Sequence, residues 1–382
     1  MIISKEEGGK SMPMKFMATK DNLLNGINIV QKAISSKNTI PVLSGIYLKA
    51  EDNKLTFAAT DLELGIECKV PVQVIEEGEV VLPAKYLGDL VRRLPDTNLM
   101  FEYLPDTVSV KITYGQAETN IMGWKGEEFP SIPQLKDDYS MTINPMVFKS
   151  MIKQTVFCAN MDDVRPIFTG ALMEVTGNDV LLVATDSHRL AYKKGKVNNL
   201  IQENFKAIIP VKSLNEISRI IKDDPEDVLN IRCNHNQICF ENSELRLISR
   251  LIDGMFPNYN QVIPAGYNTL LKVKRKALQE SIERANLFIT EKDGTSVIKF
   301  HIGGNNINIV SKSDYGMVDE NVQVYQEGED LSITFNAKYL IDALKNMDFE
   351  DIDVTLGGPL SPAVFRPLND ENFLYLLLPL RS

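Results

Sequence analysis

The chain has 382 residues, 44% of them hydrophobic and 24% charged, with a net charge of −10 from 41 basic and 51 acidic side chains. That composition is globular and rich enough for two to four cores, and it excludes a fibrous or disordered chain. No apolar run approaches the roughly 18 residues of a membrane helix, and the acidic balance taken alone argues against nucleic acid.

Residues 1–13 carry Lys5, Glu6, Glu7 and Lys10 and lack the apolar stretch of a secretory signal. With Gly8, Gly9 and Pro13 they read as a loose leader before a second plausible start at Met14. Leu23, Leu24, Ile27, Val30 and Ile34 then recur at helical spacing and predict a helix over 20–35. Alternating runs at 54–58 and 109–113 predict half-buried antiparallel strands. Further helices are predicted over 84–94, 145–158, 211–222, 274–287 and 337–345, with Pro145 in a first turn that tolerates it. The class is α+β.

Three markers recur at one period. Pro83-Ala84-Lys85-Tyr86-Leu87 returns as Pro210-Val211-Lys212-Ser213-Leu214 and as Asn336-Ala337-Lys338-Tyr339-Leu340, spacing the lysines by 127 and 126 residues. Ala59-Thr60-Asp61 returns as Ala184-Thr185-Asp186 and as Lys312-Ser313-Asp314; Phe129-Pro130 returns as Phe256-Pro257. A shared period in independent markers means three homologous domains. Boundaries follow Ile132-Pro133-Gln134 and Ile263-Pro264, giving 14–138, 139–265 and 266–382 after the leader.

Charge is segregated along this plan. The six helical segments (17–36, 84–94, 145–158, 211–222, 274–287, 337–345) are all net positive and total +10, leaving −20 for the remainder. A basic helical surface on an acidic protein attracts polyanions locally. The helices hold no aromatic–Arg alternation and no recognition-helix or zinc-finger signature, so the chemistry implied is phosphate contact without sequence preference. Solvated Lys and Arg on ordinary helix faces is the plainer alternative.

Several motifs are tested and set aside. Asp186-Ser187-His188 lacks a nucleophile elbow, and neighbours on an extended segment point to opposite faces. Asp348, Glu350, Asp351 and Asp353 lack EF-hand spacing and read as a solvated acidic loop. Gly303-Gly304-Asn305-Asn306 reads as a hairpin turn, as does the segment around His235. Trp124 reads as core or interface. The four cysteines, with Cys233 and Cys239 spaced C-x5-C, read as reduced buried thiols of a cytosolic protein, and a count of three histidines argues against a His-rich metal site. No cofactor is expected.

Three tandem domains with two basic helices each resemble the bacterial sliding-clamp family, the beta subunit of DNA polymerase III. The resemblance covers 14–382 and rests on Met14-Lys15-Phe16, Thr39-Ile40-Pro41-Val42-Leu43, Ala59-Thr60-Asp61-Leu62-Glu63, Phe129-Pro130, Asp163-Val164-Arg165, Asp253-Gly254-Met255-Phe256-Pro257-Asn258-Tyr259, Phe335-Asn336-Ala337-Lys338-Tyr339 and Leu378-Pro379-Leu380-Arg381. Its most specific carrier is Ala184-Thr185-Asp186-Ser187-His188-Arg189-Leu190-Ala191.

The resemblance implies the DNA-clamp fold, no catalysis, and a head-to-tail homodimeric ring of six domains whose twelve helices face duplex DNA. DNA-facing side chains would be Lys20, Lys32, Lys37, Lys85, Arg92, Arg93, Lys149, Lys153, Lys212, Arg219, Lys222, Arg275, Lys276, Arg284, Lys338 and Lys345. A cleft for short apolar peptides would comprise Arg165, Phe168, Thr185, Ser187, His188, Arg189, Leu190, Pro257, Val262, Asn336, Tyr339, Ser361, Leu376, Leu378 and Leu380. Its partners would be the replicative polymerase, the clamp loader, and repair and translesion polymerases, in the cytoplasm. Dimer contacts would include Ile121, Leu287 and Phe288. Two departures bear on the cleft. The tail has Leu378 and Leu380 where the family often has Met, exchanging an adaptable side chain for a stiffer one. Ser187 stands where Gly is common. A catalytic three-domain protein would need convergent acid, base or metal ligands; a scaffold that does not encircle DNA would not need uniformly basic helices.

Overall fold

Apolar residues three and four apart form the helices of the computed structural model, which describes residues 14–34, 40–133, 135, 139–161, 164–289 and 296–381. Among these are six α-helices: α1 (Lys20–Val30), α2 (Ala84–Arg93), α3 (Pro145–Thr155), α4 (Val211–Ile220), α5 (Arg275–Asn286) and α6 (Ala337–Asn346). The leader 1–13 and Lys37 lie outside the described residues. The predicted first and third helices end early, in 3-10 turns at Gln31–Ala33 and Val156–Cys158. In α3 the Thr155 hydroxyl donates to the Met151 carbonyl at 2.7 Å, competing with the helical ladder. Lys32, Lys222 and Lys274 therefore fall outside the α-helices, and α1 on these bounds is neutral, not basic.

Capping follows side-chain chemistry. Thr19, Asn144 and Asn336 each accept a first-turn N–H, at 3.3, 2.9 and 3.1 Å. Gly26 lets α1 approach Phe57: a Cβ there would lie 2.5 Å from two ring carbons.

The chain divides into two compact units. One runs to Ser140 and adds Arg219–Lys222 and Asp227–Arg250; the other holds Met141–Ser218, Asp223–Glu226 and Leu251–Ser382. The first unit has a five-stranded antiparallel sheet in the order 73–76, 15–18, 99–104, 109–114, 117–122. Its larger sheet runs 124–125, 78–83, 45–51, 54–60, 64–71, 245–250, 237–241, 229–233. The strand predicted at 54–58 extends over Lys54–Thr60 and is buried on both faces from Phe57 onward, because α1 covers one side. In the second unit a seven-stranded sheet runs 170–185, 189–210, 373–377, 363–367, 351–356, 269–274, 325–328, and a four-stranded sheet runs 316–323, 306–313, 297–303, 331–336.

The division does not follow the repeat period. Leu247 pairs with Ile66 and Leu376 with Leu190, so the closing strand of one repeat joins the sheet of the repeat before it. Strand 351–356 corrects the reading of an acidic loop: Ile352, Val354 and Leu356 point inward while Asp351 and Asp353 alternate with them. The turn at Gly304-Asn305 has φ of +60° and +62°, as a two-residue hairpin requires, and Asn234 closes the His235 turn by accepting from the N–H groups of Asn236 and Gln237.

Candidate functional site

The site is built on one turn of the second unit. Strand Gly170–Thr185 must reverse into strand Arg189–Pro210, and Asp186 makes the reversal possible. Its Oδ1 accepts from the N–H groups of His188 and Arg189, both at 2.9 Å. The Thr185 hydroxyl donates to the Arg189 carbonyl at 2.7 Å and accepts from the Ser187 N–H at 3.2 Å. Ser187 takes φ +73°, the left-handed region that favours glycine and costs other residues about 1–2 kcal/mol. That geometry explains the glycine expected there.

Behind the turn, Arg189 is 8% exposed and doubly paired. Its Nε donates to Asp186 Oδ2 at 3.0 Å and its Nη1 to Asp342 Oδ2 of α6 at 2.8 Å. The guanidinium sits 4.2 Å from the centre of the Tyr339 ring, and the Tyr375 hydroxyl donates to the Tyr339 carbonyl at 2.9 Å. Burial pushes the Tyr375 phenol well above its usual range, so it stays a neutral donor.

A cavity of about 210 Å³ opens over this turn. Ten of the predicted cleft residues line it: Phe168, Thr185, Ser187, His188, Arg189, Leu190, Pro257, Val262, Leu376 and Leu378. Asn258 and Tyr259, part of the run that carries the resemblance, also line it but were not among the predicted cleft residues. Tyr259 opens a 3-10 turn, and its hydroxyl donates to Glu174 Oε2 at 2.5 Å. The other five predicted residues are not among those that line the cavity. Arg165 stacks on the Phe168 ring at 4.2 Å. Asn336 caps α6, and Tyr339 lies beneath Arg189. Ser361 closes a turn through its N–H to the Gly358 carbonyl, and Leu380 ties the tail to the Thr334 carbonyl at 2.8 Å. The wall is apolar with a few backbone and hydroxyl groups, which suits a short extended peptide with an aliphatic anchor.

The basic residues fall into three groups. Lys20 and Arg275 cap helix ends: Lys20 donates to the Leu94 carbonyl after α2 at 2.6 Å, and Arg275 to the Leu344 carbonyl of α6 and the Phe349 carbonyl, both at 2.8 Å. Others pair with carboxylates at the surface: Lys149 with Asp223, Lys153 with Asp348, Lys222 with Glu244, Arg284 with Glu320, Lys345 with Glu283, Lys276 with Glu280, and Arg92 and Arg93 with Asp89. Exposed pairs of this kind are worth about 0–1 kcal/mol, so a phosphate can replace the carboxylate at little cost. Lys32, Lys85, Lys212, Arg219 and Lys338 have exposed side chains.

Two outer strands carry exposed apolar groups. In the first unit, strand Ala117–Met122 ends with Met122 64% exposed; Ile121 beside it is turned inward at 8%. In the second, strand Gly316–Gln323 lies near Leu287, Tyr315 and Met317, all exposed, and the Phe288 ring packs over Gly316. Among the described residues no helix is long and apolar enough to cross a membrane, and no group of three or more His, Cys, Asp or Glu could hold a metal ion.

Three family models match in succession: the N-terminal domain of the DNA polymerase III beta subunit over 14–133, its central domain over 142–258 and its C-terminal domain over 260–381. The beta sliding clamp of Bacillus subtilis strain 168 is 34% identical over 379 residues, covering 97% of this chain and all of that one. The beta sliding clamp of Staphylococcus epidermidis RP62A is 33% identical over 385 residues, again covering 97% of this chain and all of the relative. Among solved structures, the DNA polymerase sliding clamp from Bacillus subtilis superposes with a TM-score of 0.92 at 34% identity, covering 97% of this chain and 99% of that one. A sliding clamp from Pseudomonas aeruginosa bound to griselimycin gives 0.91 at 26% identity, covering 97% of this chain and all of that one.

Proposed function

We infer what this chain does from one premise: it belongs to the DNA polymerase III beta subunit family. It is a sliding clamp and not an enzyme, and it has the α+β clamp fold in three tandem domains. Two copies close head to tail into a ring around duplex DNA and tether a polymerase to it. The observation that carries this reading is the run of three clamp domains from 14 to 381, each with two helices.

Each finer part has its own support. The domain limits 14–138, 139–265 and 266–382 are supported by the repeat period. Ring closure is supported by two outer strands, Ala117–Met122 and Gly316–Gln323, each with one free hydrogen-bonding edge; a free edge is a template for a second chain. Leu287, Phe288 and the Ile121 backbone lie at those edges. The exposed basic side chains on the helices supply phosphate contact, and a lack of base-reading groups suits sliding. The cleft over the Asp186 turn takes the apolar peptide segments of partners: the replicative polymerase, the clamp loader, and repair and translesion polymerases. The four cysteines are free and buried, as in a cytoplasmic protein.

The test is topological. The protein is loaded onto a nicked DNA circle with a clamp loader and ATP, salt is raised, and the circle is cut once. Salt-resistant retention followed by rapid loss on cutting is the expected result. Equal loss from circle and linear DNA at high salt would mean simple electrostatic binding and would end the ring reading. Charge reversal at Arg92, Arg93, Arg219 and Lys222 is expected to weaken DNA association and its salt dependence while the dimer persists.

A further inference from the structure

The turn that carries the cleft is built twice. In the first unit Asp61 Oδ1 accepts from the N–H groups of Glu63 and Leu64 at 3.1 and 2.7 Å, as Asp186 does one period later. The Thr60 hydroxyl donates to the Leu64 carbonyl and accepts from the Leu62 N–H, matching Thr185. Leu62 takes φ +75°, matching Ser187 at +73°. The strand beside each turn docks alike: the Arg250 N–H donates to the Glu63 carbonyl at 2.9 Å, and the Leu378 N–H to the His188 carbonyl at 3.0 Å. Ile248 opposes Gly65 as Leu376 opposes Leu190.

A cavity opens here too, of about 290 Å³, over Leu62, Gly65, Pro130, Ile132 and Ile248. Its lining sets Leu62, Pro130, Ile132 and Ile248 beside the polar Thr60, Ser131, Gln237 and Ser249, on the backbone frame of the peptide cleft. The mouth differs. Where the cleft has His188 and Leu378, this groove has Glu63 and Arg250, ion-paired at 3.2 Å with side chains 66% and 61% exposed. An apolar peptide laid across the cleft covers a leucine; laid across this groove it would strip water from two full charges.

We propose that the Glu63–Arg250 pair is a specificity determinant that keeps apolar peptides out of one of two grooves built on the same turn, so that each chain presents a single peptide site. This rests on the reading of the cleft over the Asp186 turn as the peptide site. The pair sits on the surface, so replacing it leaves the core and the docking of strand 245–250 intact.

The experiment is calorimetric titration of the full-length protein with a short synthetic peptide bearing Leu and Phe anchors. The wild type is expected to bind one peptide per chain. The double variant E63H/R250L, which copies the cleft's own pair, is expected to bind two, with the second site at least tenfold tighter than any second binding in the wild type. The same variant carrying L378D, which puts a charge at the exposed mouth of the cleft, is expected to bind one. A double variant that still binds one peptide, or a wild type that binds two, overturns the proposal. A wild type that binds none overturns the cleft reading itself, and this inference with it.

Discussion

Replacing Asp186 separates the two jobs its carboxylate performs. Asp186 is 3% exposed; one oxygen accepts two backbone N–H groups and the other holds the Arg189 guanidinium. Hydrogen bonds to a charged acceptor are worth about 1.5–3 kcal/mol each, and breaking a buried ion pair costs about 3–5 kcal/mol. These terms overlap, and Asp342 remains on Arg189 at 2.8 Å, so D186A should cost about 4 kcal/mol locally. D186N keeps an oxygen for both amides but turns an NH2 towards the donating Arg189 Nε–H, so it loses that charge-assisted bond, about 1.5–3 kcal/mol. The matching D61A change, where Leu64 replaces Arg189, should cost about 2 kcal/mol because no guanidinium is stranded there. The assay is native-state hydrogen exchange at His188, Arg189, Glu63 and Leu64, where about 1.4 kcal/mol is a factor of ten. D186A is expected to speed exchange roughly a thousandfold, with D186N well below it, and to weaken peptide binding in proportion. Equal effects from D186A and D186N, or from D186A and D61A, would refute the division of labour argued for this turn.

Gly26 sits inside α1, where alanine normally gains about 1 kcal/mol in helix propensity; the 2.5 Å approach to Phe57 reverses the sign, and G26A should destabilise by about 1–3 kcal/mol in urea unfolding. Native protein should react slowly with a thiol reagent at all four cysteines, because all are buried and burial pushes the Cys68 thiol up to about 12; four equivalents should appear at once in urea. Burial raises the Asp353 carboxyl, with Lys272 opposing, and its Oδ1 is buried without a hydrogen-bond partner. A raised folded pKa stabilises below the unfolded carboxylate value and loses that benefit as pH rises through the folded one. D353N should therefore raise the thermal midpoint at pH 7–8 and lose that advantage near pH 3; an advantage independent of pH would count against desolvation as the cause.

Local signals carried much of this fold. Leu23, Ile27 and Val30 marked the first helix by spacing alone, and all three are buried. The Thr-Asp marker, read from the sequence as a repeat signal, falls at both turns, where each Asp accepts from the amides two and three residues on. The acidic run at 348–353 was legible as a strand from Ile352, Val354 and Leu356, but its charges masked the alternation. What stayed hidden was long-range. Tyr259 enters the cleft wall because Glu174, 85 residues away, holds its hydroxyl. Lys20 and Arg275 looked like solvent-facing cations, yet each is drawn to a carbonyl more than 60 residues distant at a helix end. Strand exchange between repeats leaves no local trace, because Leu247 opposite Ile66 is ordinary pairing in both strands.

That strand exchange gives the chain a schedule. The large sheet of the first unit is incomplete until Leu245–Arg250 arrives, and strand Arg189–Pro210 waits for Phe373–Leu377. During synthesis, strand Leu64–Pro71 must keep one edge bare while some 175 further residues emerge, roughly ten to thirty seconds at cellular elongation rates. A chain cut after the first repeat would leave that edge open permanently, where it could recruit other strands. The triplicated sequence thus describes ancestry, while the folding units straddle it, and strand Phe373–Leu377, made long after the Asp186 turn, completes the wall of the cleft.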